Sequence, residues 1–398
     1  MEAIVGQATE PAAPTLRSAR IRSEQVQGLF MVALLLFGAW QGGAALMTKP
    51  AQRRLSQVVN VHSLLDGRTA ATVNYVEAHY LPADAVLRAL GGVFRWRLFG
   101  SGGPQVAVGC DDWLFLTEEL RTWPDAGSNL RVRTTLLKNI AAKLAGRGID
   151  LVVAVVPDKA RIEAATLCGA PRSAQADERY GAVMDILRSS QITTVDLAAS
   201  LSSARRQGPL FLRTDTHWNQ EGAAIAARLV AAAVRTPLNQ GFAFRTERAA
   251  IATDGPGDML RLMSLDLVPD IVPKLRPRPD LLFVEHTVQT GAPAESGGLL
   301  DAGPGDQIVL LGSSYSLNSN FHGRLQEFLE APVSNLAEAG GGFASSANSY
   351  FKGTSFTDTP PRLIIWEVPE RVLVKPLEAA DHSLMELLRG DDQGERRS

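Results

Sequence analysis

Cysteine is nearly absent from this chain, with two among 398 residues. That scarcity excludes a disulfide framework as the source of stability, which must come from an apolar core. Cys110 and Cys168 admit one bridge, if the domain meets an oxidising compartment, or two buried thiols, and the sequence leaves both open. Histidine is also sparse, at positions 62, 79, 217, 286, 322 and 382. None stands in a Cys/His spacing typical of zinc, so neither a metal nor a cofactor is expected. An excess of one charge sign is missing too. The formal net charge is −2, and no basic stripe with interleaved aromatics occurs, which removes nucleic acid from the expected partners. There is no internal repeat. What is present is an apolar fraction of 45% in a chain long enough for one large domain or two modest ones, so a folded core is expected rather than disorder.

The one long apolar run lies near the N-terminus. Residues 26–46, VQGLFMVALLLFGAWQGGAAL, carry no charge over 21 positions, enough for a helix to cross the hydrocarbon core of a bilayer. Arg17, Arg20 and Arg22 precede it and Lys49, Arg53 and Arg54 follow it, so the positive-inside count is tied. A signal peptide cleaved near Gly43-Ala44-Ala45 is the rival reading, but the length favours an uncleaved anchor. A buried core helix fits less well, because polar residues are nearly absent all round the run.

Residues 1–25 read as a short disordered tail and residues 47–104 as a helical connector, with Leu55, Val58, Val59, His62 and Leu65 at helical spacing. Gly100-Ser101-Gly102-Gly103-Pro104 marks a boundary, residues 105–385 read as one domain, and residues 386–398 as a charged, frayed tail. Within the domain, short apolar runs at 113–116, 150–156, 192–196, 308–311 and 363–366 alternate with helical patterns at 133–146, 180–189 and 219–234. The run at 150–156 is continuous, rich in β-branched valine and stopped by Pro157, as a buried parallel strand would be. An α/β domain with a mainly parallel sheet follows. Residues 237–300, rich in Pro and Gly, read as an excursion before the strand at 308–311.

Two segments carry the chemistry. Leu311-Gly312-Ser313-Ser314-Tyr315-Ser316 puts small residues and serines after an apolar strand, ahead of a helical pattern at Phe321, Leu325, Phe328 and Leu329. A serine in a strand-to-helix turn exposes its hydroxyl and has backbone N–H groups near it, here those of Gly312, Ser313 and Ser314, to receive an oxyanion. Asp215-Thr216-His217-Trp218-Asn219 offers a carboxylate and an imidazole just before an Ala-rich helix that Asn219 would cap. A serine oxygen is a weak nucleophile until a base takes its proton, and that base needs an orienting carboxylate. Ser314, His217 and Asp215 supply these parts, for a serine-dependent acyl transfer. Each segment also has a plainer reading: serines as helix caps, and Asp, Thr and Asn as turn residues. His322 is a second-choice base. Trp218 and Tyr315 are candidates to contact a sugar, and Lys159, Arg161 and Arg371 reach the strand-end rim as further candidate substrate contacts. Glu367 and Arg371 could pair or line the cleft.

Taken in order, Asp112-Trp113-Leu114-Phe115, Val156-Pro157-Asp158-Lys159-Ala160-Arg161, the Asp215 and Ser314 segments, Asn320-Phe321-His322-Gly323 and Trp366-Glu367-Val368-Pro369-Glu370-Arg371 resemble the alginate O-acetyltransferase family, and its shorter, membrane-anchored branch most closely. The resemblance covers roughly residues 105–375. It implies an SGNH-hydrolase-like domain with its sheet in permuted order, since the Asp/His pair here precedes the serine. It further implies a periplasmic domain, held at the inner membrane by the N-terminal helix, that moves acetyl groups onto exopolysaccharide hydroxyls. Implied partners are the polymer acceptor, a membrane-bound O-acyltransferase as acetyl donor, and other polymer biosynthesis and export proteins. A carbohydrate acetyl esterase using the same triad and a non-catalytic polymer-binding scaffold are the alternatives.

Overall fold

A computed structural model describes residues 16–238, 242–255, 257–291 and 307–395. Of the disordered tail expected over residues 1–25, residues 1–15 lie outside them, and residues 16–25 are helical instead. Two compact units emerge, the first ending at Leu90 and the second beginning at Gly91.

Five parallel strands form the centre of the second unit: β1 (Asp150–Val156), β2 (Thr193–Asp196), β3 (Ile308–Leu311), β4 (Ser334–Asn335) and β5 (Leu363–Pro369), in the order β4-β3-β5-β1-β2. The middle strand is β5, whose Ile365 pairs with Val152 on one side and Leu310 on the other. Every residue of β3 and β5 is buried, because helices cover both faces and leave no wet side for alternating polar residues. On one face Val152, Ala154, Leu310 and Ile365 pack with α3 (Gln220–Ala233) and α4 (Phe321–Leu329). On the other, Val153, Val155, Ile364 and Trp366 pack with α1 (Ala126–Gly146), α2 (Ala174–Ser189), α5 (Ser345–Lys352) and α6 (Ala379–Glu395). The strictly alternating sides follow from the two-residue period of a strand. The expected mainly parallel α/β sheet is what the chain forms.

Local details differ from the sequence reading. Helix α1 begins at Ala126 rather than near Arg133, and α2 at Ala174, where Ser173 accepts the amide of Ala176 as N-cap. Helix α6 runs to Glu395 instead of fraying from residue 386, because Leu384 and Leu388 anchor it in the core. The excursion has structure of its own. Ala243–Arg248 pairs with Glu285–Gly291 and Thr253–Asp254 with Leu281–Leu282, both antiparallel, and Asp258–Leu262 is a single helical turn. Its residues 292–300 lie outside the described ones.

Cys110 and Cys168 are bridged, with Cα atoms 5.5 Å apart. The bridge ties the turn of the hairpin Val106–Val108/Leu114–Leu116 to the segment after β1.

In the first unit, Leu16–Leu46 is one continuous helix, and Ser23–Leu46 is long and apolar enough to cross a membrane. Leu29, Leu36 and Trp40 along it are exposed, which excludes the buried-core reading. Helices follow at Lys49–Ser56, Val61–Leu65, Arg68–Tyr80 and Asp84–Phe99, within the stretch read as a connector. Its apolar spacing does not make one helix: Asn60 caps a new one, and Val59 and Leu65 stay exposed. The division at Leu90 and Gly91 falls inside helix Asp84–Phe99, ahead of the Gly100–Pro104 breaker cluster, and next to Gly92, the one buried residue of that helix. A Cβ on Gly92 would stand 2.3 Å from the Met263 carbonyl oxygen.

Replacing Cys110 and Cys168 together by serine releases a loop of 58 residues in the unfolded chain. Chemical denaturation should show a loss of about 2–4 kcal/mol; an unchanged midpoint would mean that the bridge adds nothing to stability.

Candidate active site

Because the strands are parallel, the carboxyl ends of β1, β3 and β5 lie along one edge of the sheet, where open α/β folds hold their ligands. After β3, Gly312 and Ser313 lead into a tight turn, Ser314–Ser316. The serines of this motif divide the work. Ser313 Oγ caps the turn by accepting the Tyr315 amide at 3.2 Å and donates to Glu367, and Ser316 Oγ donates to Glu367 Oε2 at 3.0 Å. Ser314 alone turns outward, half-buried, with Oγ 2.8 Å from Nε2 of His217. Glu367, on the adjacent strand β5, thus holds the turn from below rather than pairing with Arg371 or lining the cleft. Burial pushes its carboxyl up, against the Ser313 amide and the two hydroxyls. Gly312 is required by this approach. A Cβ there would meet Ser316 Oγ at 2.6 Å and Glu367 Oε2 at 2.7 Å.

The histidine comes from a tight loop closed by an isolated bridge between Phe211 and Trp218 and by the amide of Leu212 donating to the His217 carbonyl at 3.1 Å. Asn219 ends the loop as the expected N-cap of α3, accepting the Gly222 amide at 2.9 Å. Nδ1 of His217 lies 2.6 Å from Asp215 Oδ1. An ionised carboxylate only accepts, so this contact assigns the ring proton to Nδ1 and leaves Nε2 to accept from Ser314. Asp215 also accepts the amides of His217 at 3.0 Å and Asp258 at 2.9 Å. Burial works to raise its carboxyl, but the hydrogen bond and charge of His217 and the two amides outweigh it and hold it below the ordinary range.

Two carboxylates that the sequence reading passed over complete the loop. Asp280 accepts the amides of Arg213 at 2.9 Å and Thr214 at 2.8 Å. Asp258 accepts the Thr216 amide at 2.7 Å, and its Oδ2 lies 3.8 Å from His217 Nδ1. Both belong to the Pro- and Gly-rich excursion, where no local pattern distinguishes them from turn residues. Possible ligand atoms of Asp215, His217 and Asp258 lie within 4.8 Å of one another, the reach of a metal cluster. Hydrogen bonds from the ring and from two amides already occupy the Asp215 oxygens, so the cluster is a hydrogen-bonded set rather than three free ligands.

Several expected contacts are corrected. Trp218 is fully buried, edge-on to Tyr315 and tilted against Phe321 with both ring centroids 5.0 Å away, so it is core and offers no face to a sugar. Tyr315 is also fully buried. Its ring stands edge-on to His217 and its hydroxyl donates to the Thr216 carbonyl at 3.0 Å. The Lys159 ammonium donates to the carbonyls of Leu114 at 2.6 Å, Arg213 at 2.9 Å and Asp215 at 3.0 Å, which uses all three of its protons. Arg161 forks onto Glu370, and Arg371 pairs with Glu118 at 2.8 Å and is nearly buried. His322 lies 2.6 Å from the Val333 carbonyl, and the ring that meets Ser314 Oγ is that of His217 instead. Of the three amides expected to face an oxyanion, Gly312 donates to Ser346 at 3.2 Å and Ser313 to Glu367 at 2.8 Å. Only the Ser314 amide has no acceptor among the described residues.

Gly312→Ala should displace the turn: covalent labelling of Ser314 by a serine-directed probe is expected to slow at least about tenfold, with about 1–3 kcal/mol lost in denaturation. Labelling at the wild-type rate would show that the turn tolerates the methyl group. Lys159→Met leaves three carbonyls without their donor and should cost about 3 kcal/mol, read by thermal or chemical unfolding. A neutral result would mean that water replaces the ammonium.

Comparison with known proteins agrees with this fold. Residues 106–370 match a family described as an SGNH hydrolase-like domain of the acetyltransferase AlgX. A probable alginate O-acetylase AlgJ of Pseudomonas putida is 33% identical over 353 residues, covering 86% of this chain and 88% of that protein. The alginate biosynthesis protein AlgX of Pseudomonas aeruginosa is 29% identical over 273 residues, covering 65% of this chain and 54% of its own length. The solved O-acetyltransferase domain of Pseudomonas putida AlgJ superposes with a TM-score of 0.62 at 29% identity, over 72% of this chain and 99% of that domain. With a family match across more than half its length and a relative one-third identical along most of both sequences, the chain belongs to the AlgJ/AlgX family of SGNH-hydrolase-like acetyltransferases.

Proposed function

We propose that this chain transfers acetyl groups to exopolysaccharide hydroxyls through an acetyl-Ser314 intermediate. The observation that carries the reading is the unbroken line from Asp215 Oδ1 through His217 to Ser314 Oγ, with separations of 2.6 and 2.8 Å. In the first step Ser314 Oγ bonds to the acetyl carbonyl carbon while its proton passes to His217 Nε2. The Ser314 amide faces the developing oxyanion. Collapse breaks the bond to the donor's leaving oxygen or sulfur, which takes the proton from Nε2. In the second, a sugar hydroxyl gives its proton to Nε2 and attacks the acetyl carbon, and Ser314 Oγ leaves and recovers that proton. Asp215 stabilises the imidazolium in both.

The acceptor is read as alginate or a related exopolymer, because the relatives are named for alginate O-acetylation and biosynthesis. The apolar N-terminal helix is read as a membrane anchor with the second unit in the periplasm, and the Cys110–Cys168 bridge fits that oxidising compartment. Acetyl-CoA is made in the cytoplasm, so a membrane-bound O-acyltransferase that passes acetyl across the bilayer is the proposed donor, with other polymer biosynthesis and export proteins as neighbours.

Ser314→Ala and His217→Ala should each lower acetyl transfer by about 1,000-fold or more while circular dichroism stays unchanged. The measurement pairs a chromogenic acetyl ester with an oligosaccharide acceptor and follows acetylated sugar by mass spectrometry. Free acetate as the sole product at every acceptor concentration would make the protein an esterase. Absence of any Ser314 acylation would leave a polymer-binding scaffold.

A further inference from the structure

We propose that Asp258, from the excursion between α3 and β3, is a positioning residue of the acyl-transfer site: a second carboxylate that pins the Asp215-Thr216-His217 turn and faces the imidazole on its Nδ1 side. This rests on the triad reading above and extends it to a residue outside both chemistry-bearing motifs.

Three contacts support it. Asp258 Oδ1 accepts the Thr216 amide at 2.7 Å, fixing the residue between the orienting carboxylate and the base. The Asp258 amide donates to Asp215 Oδ2 at 2.9 Å, filling the oxygen that the imidazole does not use. The remaining Asp258 oxygen stands 3.8 Å from His217 Nδ1, beyond a hydrogen bond but close enough for charge to act. The backbone and the side chain of one residue therefore grip the turn at two points. Asp258 opens the single helical turn Asp258–Leu262, whose Met259 and Leu260 are buried, so the grip is backed by apolar packing. When Ser314 gives up its proton, the imidazolium faces Asp215 in contact and Asp258 behind it.

The other groups around this point are accounted for. Asp215 is hydrogen-bonded to the ring, Tyr315 presents a ring edge, and Asp280 is committed to the amides of Arg213 and Thr214. The Lys159 ammonium, bonded to the Asp215 carbonyl, feels the charges of Asp215, Asp258 and Asp280 together. Burial first, and then the neighbouring charge of Asp215, hold the Asp258 carboxyl above its ordinary range. Its side chain is one-third exposed, at 33%, so water screens its charge and the effect on rate is moderate.

Asp258→Asn separates the two roles, because the amide oxygen still accepts from Thr216 while the charge is gone. In the full-length chain, hydrolysis of a chromogenic acetyl ester is expected to lose about tenfold in kcat with KM unchanged. The acid limb of the pH–rate profile should move lower by about one pH unit, since removing a negative charge beside the imidazole makes its protonated form less favourable. Asp258→Ala, which loses both roles, should be slower still, and Asp258→Glu should restore the position of the acid limb. An Asp258→Asn enzyme with wild-type kcat and an unmoved acid limb overturns the proposal, even if Asp258→Ala fails to fold. Ser314→Ala in the same assay keeps the two readings apart. Loss of activity there with no change in Asp258→Asn sinks only the role of Asp258, whereas full activity in Ser314→Ala sinks the triad itself.

Discussion

A buried ammonium sets the frame on which the site depends. Lys159 stands just past the end of β1 and is fully buried, and each of its three protons goes to a main-chain carbonyl: one from the hairpin at Leu114 and two from the histidine loop at Arg213 and Asp215. Burial pulls the amine down to about 8, so the charge is costly to keep, and the three carbonyls stabilise it in place of water. An arginine would fan its donors in a plane and a methionine would offer none. Only a compact cation with three diverging N–H groups can join three peptide oxygens around one point. Through the Asp215 carbonyl this contact bears directly on the carboxylate that orients His217.

Around that centre the strand ends are locked by further buried charge. Glu370, after β5, receives the fork of Arg161 and the amide of Asp158, while Arg179 pairs with both Asp158 and Glu370. Glu367, on the same strand, holds the nucleophile turn through one amide and two hydroxyls. Pairs of this kind contribute little net stability, since desolvation offsets most of the attraction. Their consequence is geometric. Partners satisfied in one arrangement and starved in others keep β1, β3 and β5 in a single register at their carboxyl ends, where a fraction of an ångström decides whether a serine meets its base.

Much of this was legible beforehand, and for identifiable reasons. The unbroken apolar runs at β1 and β3 announce strands covered on both faces, because a half-wet strand would alternate. Ser314, His217 and Asp215 stand out because a serine after a strand and an Asp-Thr-His before a helix are uncommon together, and the fold brings them into one hydrogen-bonded line. The rim residues were misread for an equally clear reason. Lys159, Arg161, Arg371, Trp218 and Tyr315 are the polar and aromatic types that contact sugars, and the same chemistry suits them to hold a loop from within. Composition cannot distinguish an arginine that reaches solvent from one that faces a buried glutamate.

Local order along the chain therefore determined the strands, the apolar N-terminal helix and the choice of Ser314, His217 and Asp215 as the residues proposed for nucleophile, base and orienter, since each depends on periodicity or on neighbours a few positions apart. Tertiary structure alone decided that Cys110 meets Cys168, that Glu367 lies beneath Ser314, that of the Gly312, Ser313 and Ser314 amides only the last lacks an acceptor among the described residues, and that Asp258 and Asp280 reach back to the histidine loop. Those contacts join residues from 42 to 66 positions apart. Their partners are chosen by packing and by the cost of leaving a buried donor without an acceptor, which no local pattern encodes.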